Sequence, residues 1–264
     1  MFLLVSKIGI TVAFVFALTW IAERVHPTVA GILSGFPLGI ALTLYFFGLE
    51  QGPSFAAASA TATIAAFAAN IASFYCYGLL ILKKQAGPLL ASLGGLLAFM
   101  AVAFALSFTP AANSLYLALA IAVGSIFLFQ ALQKDFVGGA IAKRQPLTVT
   151  SILVRSGSAA ATVVLITWLA HSIGVKWSGL LAGFAITAFP FLVLIHFTYG
   201  RDVAIAIIQK YPLGIGSLIV YCVGITQFYE SQGINLGTVY SLLYSIAYLL
   251  LLATYLQWQK KRAA

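Results

Sequence analysis

Long apolar runs separated by short turn-forming segments fill almost the whole chain. A helix needs about 20 apolar residues to cross the hydrocarbon core of a bilayer. Nine runs reach that length: 2–22, 28–49, 54–82, 88–108, 112–133, 149–173, 177–199, 204–228 and 235–257. The gaps contain turn residues, as in Gln51-Gly52-Pro53 and Ser231-Gln232-Gly233. The sequence therefore predicts an all-α polytopic membrane protein with nine transmembrane helices.

Composition excludes the main soluble classes. Hydrophobic residues make up 62% of the 264 residues and charged residues 7%, against about 25% charged in a soluble domain. The net charge of +9 does not indicate nucleic-acid binding, because the basic residues lie in gaps between runs instead of forming a stripe. Cys76 and Cys222 lie inside apolar runs without metal-ligand spacing. No catalytic motif is recognisable, so we expect no enzyme, metal or cofactor.

Basic residues favour one side of the predicted membrane. If consecutive runs cross the membrane in alternating directions, the loops on one side contain only Lys176 and, if it reaches the surface, Lys7 as basic residues. The favoured side receives Arg24, Lys83, Lys84, Lys134, Lys143, Arg144, Arg201, Lys260, Lys261 and Arg262. Cytoplasmic loops are enriched in lysine and arginine. We therefore expect the N-terminus outside and the C-terminus in the cytoplasm, with run 2–22 retained as a span because it lacks a signal-peptide pattern.

Part of the sequence recurs after 148 residues. The recurring elements are Thr19-Trp20 with Thr167-Trp168, Gly31-x-x-x-Gly35-Phe36 with Gly179-x-x-x-Gly183-Phe184 and, after a two-residue gap, Tyr75-Cys76-x-Gly78 with Tyr221-Cys222-x-Gly224. Chance alignment of apolar helices is the alternative, but the pairing of rare tryptophans and cysteines disfavours it. Because an odd number of spans separates the copies, the second copy would be inverted. We predict two inverted four-helix repeats, residues 1–108 and 146–264, joined by a linking helix and cytoplasmic loop at 109–145.

Several motifs of the first copy resemble the GlpM-like family of small, four-span bacterial inner-membrane proteins. They are a lysine near the start of the first helix, Ala30-Gly31 followed by Phe36-Pro37, and Gly48-x-Glu50-x-Gly52. The resemblance covers residues 1 to about 108 best, and the chain would be a duplicated, fused form. In the second copy Ala185 stands where Pro37 stands and Thr198 where Glu50 stands. The resemblance implies a bacterial inner-membrane location and a link to envelope or exopolysaccharide physiology, without a substrate.

Two cations lie inside predicted spans. Arg155 lies about 13 Å into its span at helical rise, and Lys7 is its counterpart in the other copy. No acidic residue lies in any predicted run to balance them. Charge in hydrocarbon is costly, so both are candidates to bind an anionic group, with Ser158 beside Arg155. The alternative is that both side chains reach back to the nearer interface.

The second helix of each copy carries an expected interruption. The first has Ser34-Gly35-Phe36-Pro37, and the second has Gly183-Phe184 with Pro190 as its breaking residue. Paired interruptions in matching helices indicate a binding site near the bilayer midplane, and Asn70 in the third span is a candidate to line it. A helix–helix hydrogen bond is the more expected role of Asn70 taken alone. The alternative is a packing interface, because small residues four apart let helices approach closely.

Three further polar residues are weaker candidates. Glu50 is expected to be a solvated turn residue, with proton coupling as the less favoured interpretation. His196 is expected to be a satisfied interfacial histidine more than a proton relay, and Lys210 an interfacial anchor.

Taken together, these patterns predict a transporter or flippase that moves a small anionic solute or an anionic lipid-linked group by alternating access. A non-transporting scaffold of an envelope or exopolysaccharide complex and a passive channel stay open as alternatives. The expected partners are the lipid bilayer, an anionic substrate and a second copy of the chain, and not nucleic acid.

Overall fold

The computed structural model describes residues 7–14, 16–17, 36–136, 149–184 and 188–263, and the regular structure in these ranges is helical. Helical residues 7–14 and 16–17 form α1. The longer helices are α2 (Leu38–Gln51), α3 (Pro53–Lys83), α4 (Pro88–Ser107), α5 (Leu115–Leu132), α6 (Val149–Ala182), α7 (Ala188–Tyr199) and α8 (Arg201–Ala263). Short 3-10 helices lie at Pro110–Asn113 and Gln133–Asp135. The all-α prediction is confirmed.

Glycines divide the two longest helices into arms. Gly174 has φ 75° and ψ 172°, and Gly233 has φ 78° and ψ 169°, which side chains with a Cβ rarely adopt. The arms of α6 are residues 149–173 and 175–182, and those of α8 are residues 201–232 and 234–263. Both breaks fall in gaps between the predicted runs.

Large apolar side chains cover the outer surface of the bundle. Five helices within the described ranges are long and apolar enough to cross a membrane. The exposed side chains on α4, α5 and α8 include Leu89, Leu93, Leu97, Phe104, Phe127, Leu128, Leu243, Leu250 and Leu251. Such a continuous apolar surface is unstable in water and stable in lipid. The chain is therefore a multi-pass membrane protein.

Helix α3 forms the centre of the bundle and packs against α2, α4, α5, α6 and α8. Its first half is rich in alanine, serine and threonine, so neighbouring backbones approach it closely. Its second half buries larger side chains, including Phe67, Phe74 and Tyr77. The helix begins with Pro53 at its first position, where a missing N–H removes no intrahelical hydrogen bond.

Helices α2 and α7 are short, with 14 and 12 residues, or about 21 Å and 18 Å at helical rise. Each ends at a glycine of positive φ, Gly52 (96°) and Gly200 (82°), which lie 148 residues apart. In each turn the glycine N–H donates to the carbonyl four residues earlier, at 3.0 Å and 3.1 Å. The positive-φ residues Gln85 and Gly233 are also 148 residues apart. The backbone thus has matching turns at the offset of the sequence repeat.

Candidate functional site

A buried ion pair joins three helices at one end of the bundle. Lys7 of α1 places Nζ 2.6 Å from Oε1 of Glu50, which lies in the last turn of α2. The same ammonium donates a hydrogen bond to Oγ1 of Thr167 on α6 at 2.7 Å. The side chains of Lys7 and Glu50 are only 8% and 10% exposed. Buried charges require such partners, since removing each ion from water is costly.

His171 extends this ion pair toward solvent. Its Nε2 lies 3.6 Å from Oε2 of Glu50, and its Nδ1 lies 2.6 Å from the amide nitrogen of Gln51. Because an amide NH2 only donates, Nδ1 accepts and the neutral ring carries its proton on Nε2, facing Glu50. The His171 side chain is 54% exposed. We refer to Lys7, Glu50, Gln51, Thr167 and His171 as the Lys7–Glu50 cluster.

Two sequence-based expectations are corrected by this cluster. Lys7 was expected to lack a counter-charge, but Glu50 balances it. Glu50 was expected to be a solvated turn residue, but α2 continues to Gln51, so the helix directs Glu50 toward α1 and α6. Lys7 is therefore not free to bind an anion in this conformation.

Other predicted residues fall partly outside the described structure. Arg155 and Ser158 lie on the first arm of α6, but their side chains are outside the described part. Ser34 and Gly35 also lie outside the described residues. Lys210 is exposed on α8.

The Gly179-x-x-x-Gly183 motif packs against α3. A Cβ added at Gly179 would collide with the carbonyl oxygen of Ser59, and one added at Gly183 would collide with the Ala66 side chain. Oγ1 of Thr63 donates to the carbonyl of Gly179 at 2.9 Å. Of the two interpretations of the small-residue motif, packing within the chain is the one observed here.

The helix formed by residues 175–182 ends at Gly183, and Phe184 lies in the bend that follows. Nδ2 of Asn70 donates to the Gly183 carbonyl at 2.8 Å. The Phe184 ring packs edge-on against Phe99, with centroids 4.9 Å apart. A carbonyl released at a break inside a membrane protein needs such a donor, because lipid supplies none. Asn70 is thus brought together with Gly183, as the sequence predicts.

The predicted interruptions lie one turn before Pro37 and Pro190, in residues outside the described part of the chain. Pro190 is the third residue of α7, and the helix formed by residues 175–182 has already ended at Gly183 and Phe184. Pro37 immediately precedes α2, and its carbonyl accepts from Ala41 at 2.8 Å. Phe36 is partly buried against the core. Each proline therefore belongs to the start of a short helix.

Two buried polar atoms at this break have no hydrogen-bond partner within the described residues: Oδ1 of Asn70 and Oγ of Ser73. Both residues are 1% exposed and lie one helical turn apart on α3. Asn70 lies about 26 Å from the start of α3 and about 20 Å from its end at helical rise, near the middle of the helix. Tyr211 of α8 lies beside Asn70, with its ring stacked on Phe74. We refer to Asn70, Ser73, Gly183 and Tyr211 as the Asn70 site.

Unpartnered polar atoms are rare in buried positions because each costs about 1–3 kcal/mol. A ligand hydroxyl or N–H would gain a hydrogen bond at the Asn70 site, because the free amide oxygen of Asn70 only accepts. A comparison with family models, curated proteins and solved structures gives no match to this chain. The functional argument therefore depends on the geometry of this site and of the Lys7–Glu50 cluster.

His196 is a satisfied histidine, as expected. It is buried, and its Nδ1 lies 2.8 Å from the hydroxyl of Tyr77 on α3. The Tyr77 ring also packs edge-on against Phe189 of α7. This pair fixes α7 to the second half of α3.

Several site residues were missed at the sequence level. Thr167 was visible as part of the recurring Thr-Trp pair, but its hydroxyl gave no sign of binding Lys7. His171 and Gln51 lie beside predicted turns, where polar residues are ordinary. Ser73 and Tyr211 are single polar groups in apolar helices. The spacing of polar residues along one helix does not show which other helix those residues contact, so the sequence could not reveal these partners.

Proposed function

We propose that the protein is a carrier that moves a small anionic solute or an anionic lipid-linked group across a bacterial inner membrane. Transport would occur by alternating access between two inverted four-helix repeats. The observation that carries the proposal is the Asn70 site, where a broken helix and unpartnered polar atoms meet near the middle of the central helix. These atoms would bind a hydroxyl or N–H of the cargo, and a cation elsewhere would bind its anionic group. Carriers of this plan bind their cargo at discontinuous helices near the bilayer midplane.

The proposed topology has nine spans. The second span would contain α2 together with residues before it, and the seventh would combine the second arm of α6 with α7. Matching turns at Gly52 and Gly200, 148 residues apart, support the repeat. The positive charge of the loops supports a cytoplasmic C-terminus. The GlpM-like motifs support the inner membrane as the location.

The charge that attracts the cargo would be Arg155. At the position equivalent to Glu50 the second repeat has Thr198, so the carboxylate that balances Lys7 has no counterpart there. The scaffold alternative requires the small-residue faces to bind partner helices. The face of Gly179 and Gly183 is already covered by α3, which favours the carrier.

Flux in liposomes tests this proposal. The full chain would be reconstituted and assayed with inorganic phosphate, acetate and a fluorescent phosphatidylglycerol, which represent two anionic solutes and an anionic lipid. We expect saturable movement of at least one probe. Arg155→Gln should lower that rate about tenfold or more, because a hydrogen bond to a charged group contributes about 1.5–3 kcal/mol.

Lys210→Gln is the matched control, since it removes an exposed cation from α8. It should leave the flux unchanged. Flux that never saturates would indicate a channel. A folded protein that moves none of the probes, with or without Arg155, would favour the scaffold.

A further inference from the structure

The carrier proposal leaves the Lys7–Glu50 cluster without a role. Its third ionisable member, His171, connects the buried carboxylate of Glu50 to solvent, because half of the His171 side chain is exposed. We propose that Glu50 is a proton-binding site, that His171 exchanges its proton with water, and that protonation of Glu50 frees Lys7 to bind an anionic group. The coupling to an anion rests on the proposed function; the proton site does not.

The proton path consists of two groups. The exposed imidazole of His171 accepts a proton from water at Nδ1, as the Gln51 amide turns away. The ring then passes its Nε2 proton to Oε2 of Glu50, 3.6 Å away, after a small side-chain rotation. One proton enters and one leaves, so the ring returns to its neutral form. Histidine suits this role because one ring nitrogen can accept a proton while the other donates one.

The charged surroundings of Glu50 are simple. Within the described residues, Lys7 of α1 and His171 of α6 are the ionisable groups that contact its carboxylate. Helix α3 packs against α2, but its first half carries no ionisable side chain. From α8, Tyr229 packs near Gly48, and its hydroxyl pairs with Thr238 at 2.7 Å. One lysine and one histidine are therefore the ionisable neighbours of the Glu50 carboxylate in the described part of the chain.

Protonation changes what Lys7 binds. A neutral Glu50 no longer balances the ammonium, which then keeps the hydroxyl of Thr167 and the face of the Phe46 ring, 5.8 Å from Nζ. A buried cation without a counter-charge is unfavourable, so the site then favours an incoming anion. One proton and one negative charge would enter together, which leaves the net charge of the cluster unchanged. Glu50 thus acts as the resting counter-charge of Lys7, and an anion from outside the protein takes its place when Glu50 is protonated.

Infrared spectroscopy of the reconstituted full chain tests the proton site without any transported solute. On acidification we expect the wild type to gain the high-frequency carbonyl-stretch band of a buried protonated carboxyl, apart from the bands of exposed carboxyls. This high-frequency band should be absent in Glu50→Gln and unchanged in Glu230→Gln, which removes an exposed acid near the turn at Gly233. His171→Gln should keep the band but slow its isotope shift when water is replaced by D2O.

Glu50→Gln leaves Lys7 unpaired and can fail to fold. The double variant Lys7→Gln/Glu50→Gln removes both charges and serves as the second test of band assignment. A band that persists in both variants, or no band over the range in which the wild type stays folded, overturns the proton site. An unchanged isotope-exchange rate in His171→Gln overturns the relay.

These outcomes separate the two proposals. Loss of the proton site with saturable anion flux intact leaves the carrier standing. A confirmed proton site in a protein that moves no anion rejects the carrier and the proposed coupling while keeping the proton chemistry.

Discussion

The Lys7–Glu50 cluster and the Asn70 site differ in how their polar groups are satisfied. The cluster carries opposite charges, and each side chain in it has a partner from another helix. The Asn70 site carries no charge, and two of its buried atoms lack partners within the described residues. The Lys7–Glu50 cluster lies beside the end of α2 and reaches solvent through His171. The Asn70 site lies near the middle of α3, the central helix.

This difference follows from the cost of each kind of defect. An unbalanced charge in the interior of a membrane protein costs more than an unpaired amide or hydroxyl. In this structure the charged groups of the Lys7–Glu50 cluster therefore all have partners, whereas the uncharged Asn70 site keeps polar atoms without partners among the described residues. A function that requires Lys7 as a free charge must first change the protonation of the cluster, whereas the Asn70 site is ready for a neutral hydrogen-bonding group of the cargo.

The largest expected effect comes from breaking the ion pair. Lys7→Ala or Glu50→Ala should each destabilise the protein by about 3–5 kcal/mol, because the remaining charge stays buried without a partner. The double substitution Lys7→Ala/Glu50→Ala should cost less than either single change. Unfolding of the detergent-solubilised protein, followed by tryptophan fluorescence, measures these values.

Lys210→Ala provides the matched control for charge removal at an exposed position. Equal effects of Lys7→Ala and Lys210→Ala would mean that the ion pair contributes nothing. Additive effects in the double variant would show that Lys7 and Glu50 act independently.

A smaller effect is expected where α6 packs against α3. Gly179→Ala should destabilise the protein by about 1–3 kcal/mol, because the added methyl group meets the carbonyl oxygen of Ser59. Gly157→Ala is the control, because Gly157 lies in the first arm of the same helix and a Cβ there meets no atom of the described residues within 4 Å. That substitution should be neutral or stabilise by up to about 1 kcal/mol. Thermal unfolding of both variants measures the difference in stability. If Gly179→Ala and Gly157→Ala changed the stability equally, the Gly179 motif would not be a close packing contact.

The sequence predicts the helical class and most helix boundaries because apolar length and turn glycines act locally. Gly174 and Gly233 end helices where the apolar runs end, and α4 and α5 match their predicted runs within three residues. The helix formed by residues 175–182 ends before Pro190, and α7 begins two residues before it, so the sequence locates the region of the break. A proline inside an apolar run looks the same whether it breaks a helix or begins one, so the sequence alone does not give the residue at which the break lies.

The pairing of side chains was less accessible. Lys7 and Glu50 are separated by more than forty residues, and only packing of α1 against the end of α2 brings them together. The predicted apolar run ended at residue 49, so Glu50 was assigned to the following turn, whereas α2 continues to Gln51. Asn70 was found because a lone amide in an apolar helix is conspicuous, whereas Ser73 resembles the many small residues of α3.

The smallest effects on stability distinguish the two residues of the Asn70 site. Asn70→Ala removes the donor to the Gly183 carbonyl and should cost about 1–3 kcal/mol, since that carbonyl is left buried and unsatisfied. Ser73→Ala removes a hydroxyl that has no partner within the described residues, so it should leave stability unchanged or slightly higher.

Both variants should lower carrier flux if the two atoms bind the cargo. A Ser73→Ala protein with wild-type flux would remove Ser73 from the site, and one with markedly lower stability would mean that its hydroxyl is already bonded in the resting protein. The two positions thus separate a polar group kept for structure from one kept for a ligand.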